Sequence, residues 1–95
     1  MATTIKTSSK NYFNKIQKYL TNKRVFFTPS FNLGIYTLTI FDLNQDQTNS
    51  LISKMTKHFH LTKQQEPMVL DSVEFRHDSV IQANLTTFAI PSLAA

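Results

Sequence analysis

Residues 10–27 read KNYFNKIQKYLTNKRVFF, and the way this stretch divides decides the fold. Tyr12, Phe13, Ile16, Tyr19 and Leu20 recur at i, i+1, i+4, i+7 and i+8. At about 100° per residue they fall in one stripe, the mark of an amphipathic helix. Lys10, Asn14, Gln17, Lys18 and Thr21 take the opposite face, with Lys15 at the flank. Ser8 or Ser9 is placed to cap the start of this helix and Asn22 to stop it. The alternation of lysine with aromatic residues is thus two helical faces seen in turn. It is not a code for stacking on bases. RVFFT, residues 24–28, is rich in β-formers and predicts a short strand. Pro29 cannot donate to a ladder and is expected to end it.

Outward from this stretch, PSFNLG (29–34) reads as a loop around the only glycine, Gly34, in a backbone conformation other residues avoid. IYTLTIF (35–41) alternates, with both faces fairly apolar, and predicts an internal strand paired with 24–28. In DLNQDQTN (42–49), Asn44 followed by Gln47 resembles a capping box. Leu51, Ile52, Met55, His58 and Phe59 then repeat the helical stripe. MVLDSVEF (68–75) and VIQANLTTFAI (80–90) read as strands joined by a turn at RHDS (76–79). In the second of them Ile81, Ala83, Leu85, Thr87 and Ala89 are expected on one face.

Residues 1–8 read as a flexible leader and 92–95 as a tail, leaving 9–91 as one domain. The order α-β-β-α-β-β predicts an α+β two-layer sandwich: a four-stranded antiparallel sheet with two helices on one face. NYFNKIQKYL (11–20) also lies over SLISKMTKHF (50–59) with its apolar stripe and two lysines in step. A duplicated αββ unit would explain the match, and would require the strand orders of the two halves to correspond.

Composition narrows the function. The chain has 95 residues, 41% of them apolar, with eight Phe and three Tyr to furnish a core. With no Cys, disulfides, thiolate chemistry and Cys-based zinc sites are excluded. No apolar run approaches the ~20 residues of a membrane-spanning helix, and MATTIKTSSK lacks the apolar segment of a secretory signal. The abundance of Lys, Asn, Ile, Phe and Thr suits an AT-rich genome such as that of a phage, an organelle or a low-GC bacterium. The expected location is the cytoplasm, an organelle interior or the cytoplasm of an infected cell.

Several chemistries fail on spacing. Asp42, Asn44 and Asp46 match the start of a calcium loop, but its sixth and twelfth positions hold Gln47 and Ser53 in place of Gly and Glu. His58 and His60 are two apart on a helix, so they point to different faces and cannot share an ion. Glu74, Arg76, His77 and Asp78 crowd a hairpin tip, which charge keeps wet. One glycine cannot build a phosphate loop. No metal, cofactor or enzymatic activity is expected.

Two functions stand. The first is a small non-enzymatic protein-binding module, an accessory subunit, adaptor or inhibitor, with a homodimer as one form of it. Phe26, Phe27, Phe31 and Tyr36 would make the contact, on an open sheet face or a free strand edge. The second rests on charge. Lys6, Lys10, Lys15, Lys18, Lys23 and Arg24 all precede the first acid, Asp42, within a net charge of +4. That asymmetry suits an anionic partner, and nucleic acid would be held by Lys10, Lys15, Lys18, Lys23 and Arg24.

Overall fold

The computed structural model describes residues 2–63 and 69–88. Helix α1 runs Lys10–Asn22, where the first stripe lies, and the Ser9 hydroxyl accepts from the Tyr12 amide at 3.2 Å. Helix α2 runs Gln45–His58 and opens on the anticipated capping box. Asn44 Oδ1 accepts from the Gln47 amide at 2.8 Å, and Gln47 Oε1 accepts from the Asn44 amide at 2.9 Å. Asn44 therefore caps a helix, and the calcium-loop reading is unnecessary.

Both helices close in the same way. Val25 N–H donates to Leu20 O and Arg24 N–H to Thr21 O; Leu61 N–H donates to Thr56 O and His60 N–H to Lys57 O. These are Schellman closures, and they place Arg24 (φ 58°) and His60 (φ 55°) in the left-handed region usually given to glycine.

The strands are β1 (Ala2–Thr7), β2 (Thr28–Asn32), β3 (Ile35–Phe41), β4 (Thr62–Lys63), β5 (Val69–His77) and β6 (Val80–Phe88). They form one sheet in the order β2-β3-β1-β5-β6-β4, every neighbouring pair antiparallel. The α+β class and antiparallel sheet match expectation. The strand count does not: among the described residues five full strands and the two-residue β4 replace the four expected.

The largest correction concerns the expected leader. Ala2–Thr7 is a central strand, paired along its length with β3 on one side and with β5 on the other. Its inward row is Thr3, Ile5 and Thr7, all buried, and each hydroxyl is satisfied. Thr7 Oγ1 donates to Ser72 O at 2.8 Å and accepts from the Ser9 amide at 3.1 Å. Two Thr in three inward positions hide the apolar period from sequence reading. The end of the expected domain at 91, and the tail at 92–95, lie outside the described residues.

The second correction shifts a hairpin. The chain leaving α1 is used up in the helix closure through Val25, so β2 starts at Thr28 and contains Pro29 instead of ending before it. Proline is tolerated there because β2 is an edge strand with one neighbour. Leu33 (φ 51°) and Gly34 (φ 81°) make the two-residue turn to β3, a type I′ geometry. Asp78 (φ 50°) and Ser79 (φ 69°) do the same between β5 and β6.

Because β1 is antiparallel to β3, and β3 to β2, β1 and β2 are parallel with β3 inserted between them. By the same logic β3 and β5 are parallel around β1. β1-α1-β2 and β3-α2-β5 are thus two interleaved split βαβ units, with β6 and then the short β4 added beyond β5. This overturns the duplicated αββ unit. After α1 the inner strand is the second of its hairpin, β3; after α2 it is the first, β5. The two helices share only their periodicity.

Strand alternation sends Thr3, Ile5 and Thr7, Tyr36, Leu38 and Ile40, and Val73, Phe75 and His77 to one face. Both helices lie there: Tyr36 stacks on Phe13 of α1 at 4.6 Å, and Thr3 meets Thr48 of α2 at 2.8 Å. The core is Ile5, Ile16, Leu20, Leu38, Ile40, Met55, Val73 and Phe75, each almost wholly buried. Burying one such side chain stabilises the fold by about 1.5–3 kcal/mol. A register shift after Phe75 also breaks the single face expected in β6. Ala83 pairs with Phe75 and Leu85 with Val73, facing the helices, but Ile81 pairs with Arg76 and turns to the opposite side. Thr87 and Ala89 lie where no side chain is described.

Candidate functional site

The open face of the sheet is built from the residues that alternate away from the core. They include Thr4 and Lys6 of β1, Thr37 and Thr39 of β3, Glu74 and Arg76 of β5, and Asn84 of β6. Arg76 Nε donates to Glu74 Oε2, which pairs the two charges. This surface is hydroxyl-rich, with Ile35, Phe41 and Ile81 exposed at its margins, and is not the aromatic platform expected. Phe41 is its one described aromatic side chain, at the end of β3.

The predicted aromatic residues separate into two places. Phe31 and Tyr36 come together, with centroids 4.5 Å apart, on the helix-covered side, where Tyr36 also stacks on Phe13. Phe27 is half-buried against the core. Phe26 points into solvent, 93% exposed. Phe26 and Phe27 thus precede β2 while Phe31 lies within it, near the turn.

Along β2 these residues define a free edge. Thr28–Asn32 is exposed throughout and, among the described residues, pairs only with β3. Asn32 and Ile35 flank the two-residue turn and form its hydrogen-bonded pair. Alternation then directs the backbone groups of Pro29 and Phe31 away from β3. Pro29 has no N–H to present on that free side. Phe31 is 59% exposed, and Leu33 at the turn is 92% exposed. Sequence reading passed over Leu33 because it took 29–34 as a loop. The available signal was a leucine immediately before Gly34, where a turn favours a polar residue.

The cations sit elsewhere. Lys10, Lys15, Lys18, Lys23 and Arg24 are all exposed, on α1 and its closure. Lys15 and Lys23 place their ammonium groups 5.6 and 5.7 Å from the ring centroids of Tyr12 and Tyr19. None of them joins the open sheet face, whose described cations are Lys6 and Arg76. Lys23 instead shares a groove between the helices with Lys54.

The charged hairpin tip is not uniformly wet. Alternation buries His77 while leaving Asp78 exposed. His77 Nδ1 lies 3.0 Å from Thr3 Oγ1 and 3.2 Å from Thr48 Oγ1, and its Nε2 is 3.7 Å from Asp78 Oδ2. The connectivity is that of a hydroxyl–imidazole–carboxylate relay. Thr3 and Thr48 are completely buried, however, so neither hydroxyl faces solvent. The cluster joins β1, α2 and the β5–β6 hairpin, and Asp78 also binds the Ala2 amide at 3.2 Å. His58 and His60 are exposed, and among the described residues no three metal-ligating side chains converge. No helix among them is long and apolar enough to cross a membrane.

Comparison with known proteins finds no matching family model, no matching curated protein and no matching solved structure.

Proposed function

We propose that the chain is a small non-enzymatic protein-binding module, an adaptor, accessory subunit or inhibitor, whose partner lies along β2. The observation that carries this reading is an exposed edge strand with a nearly bare large apolar side chain at each end, Phe26 before it and Leu33 after it. Leu33 supports it doubly. A leucine at a left-handed turn position serves neither the turn nor the core, and such local departures concentrate at functional sites. A protein surface along this edge would cover Phe26, Phe31 and Leu33 together and meet the outward backbone groups of Phe31. Phe27 and Tyr36 would support the contact from beneath, through the core and the aromatic stack. The setting is an aqueous one, the cytoplasm or an organelle interior.

Nucleic-acid binding through Lys10, Lys15, Lys18, Lys23 and Arg24 has less support. Among the described residues only Arg24 of these cations has a bare aromatic ring beside it, Phe26, and no run of exposed rings follows the lysines of α1.

The test uses the full chain as bait, beside Leu33→Asp and Phe26→Asp variants of unchanged circular dichroism. The expected result is one protein, or a second copy of the chain, retained by the parent and lost with either variant. A parent that sediments as a strict monomer and retains nothing, or a partner indifferent to both substitutions, overturns the reading.

A further inference from the structure

Between the C-terminal end of α1 and the flank of α2 lies a groove of about 310 Å³. Its apolar lining is Tyr19, Val25, Leu43 and Leu51, and Lys23 and Lys54 also border it. The helix closure builds one wall. The left-handed turn at Arg24 folds Val25 back towards Leu20, which leaves Lys23 beside the ring of Tyr19. The capping box at Asn44 fixes the opposite wall by setting where α2 begins, just after Leu43.

The electrostatics of this groove are one-sided. Among the described residues its lining contains two cations and no acid, and neither lysine makes an ion pair. Two like charges bordering one apolar concavity repel each other, and an anion between them relieves that repulsion. The volume lies at the small end of the range for small-molecule sites, which combine an apolar lining with a few polar anchors. An apolar body therefore fits the floor and an anionic head fits the lysines.

We propose that this groove is a binding site for a small amphipathic carboxylate, its apolar part against Tyr19, Val25, Leu43 and Leu51 and its carboxylate between Lys23 and Lys54. The site is separate from the β2 edge and does not depend on it.

Octanoate is the probe, with octanol as its uncharged counterpart, each titrated into isotopically labelled full-length protein and followed by amide chemical shifts. Octanoate is expected to move Val25, Leu43 and Leu51 in a saturable way. The double substitution Lys23→Glu with Lys54→Glu, both on exposed residues, is expected to weaken octanoate by about tenfold, the combined effect of two partly exposed ion pairs. It should leave the weaker response to octanol unchanged. Shifts scattered over the surface, equal response to octanol and octanoate, or octanoate binding untouched by the charge reversal would each overturn the proposal.

Discussion

Arg24 and His60 show how this chain manages with a single glycine. Each sits just past a helix with a left-handed backbone, where the absence of a Cβ would remove a steric penalty. His60→Gly and Arg24→Gly are each expected to stabilise the fold by about 0.5–1 kcal/mol, read as a higher urea midpoint at unchanged slope. The stop at Asn22 was legible because the apolar stripe ends there. The closure that follows was not, because nothing in Arg24 or His60 as residue types announces a left-handed conformation. At Gly34 the reverse holds: the residue type implied the positive φ that the turn requires. His77 was read as a wet tip residue because charge surrounds it in sequence. Strand alternation, invisible at that scale, carried it inward to Thr3 and Thr48.

Among the elements, β1 is the one whose reading changes the molecule. A leader could be removed at little cost. A central strand cannot, since its loss separates the β2–β3 hairpin from β5 and β6, and an isolated hairpin is marginal in water. A chain lacking residues 1–8 is therefore expected to lose its cooperative thermal transition, followed by far-ultraviolet circular dichroism. A transition kept at the parent temperature would restore the leader. Both helices and the β5–β6 hairpin were legible because their signals are local: a stripe, a cap, a turn between two β-rich runs. β1 was not, since ATTIKT places polar Thr3 and Thr7 on its buried face. Their acceptance there depends on partners as remote as Thr48, Ser72 and His77.

In the whole molecule, the arrangement of strands leaves β2 as a free edge and makes Pro29 a guard on it. Pro29→Val would supply an N–H on the open side and complete a template for another strand. Stronger concentration-dependent self-association than in the parent is expected in sedimentation velocity. An unchanged profile would show that the edge is protected by something other than proline. The candidate sites depend on this scale too. Phe26, Phe31 and Leu33 are brought to one edge by the hairpin shift, and Lys23 and Lys54 border one groove only because α1 and α2 lie side by side. By itself the sequence determined the two helices with their N-terminal caps, the special backbone at Gly34, a turn within 76–79, the α+β class and the asymmetry of charge, because neighbours along the chain supply all of these. Only the tertiary structure decided that residues 2–7 are the centre of the sheet, that hydroxyls and paired charges occupy the middle of its open face and that the two barest apolar residues, Phe26 and Leu33, flank β2. Those outcomes follow from hydrogen bonds and packing between residues tens of positions apart, which no local period records.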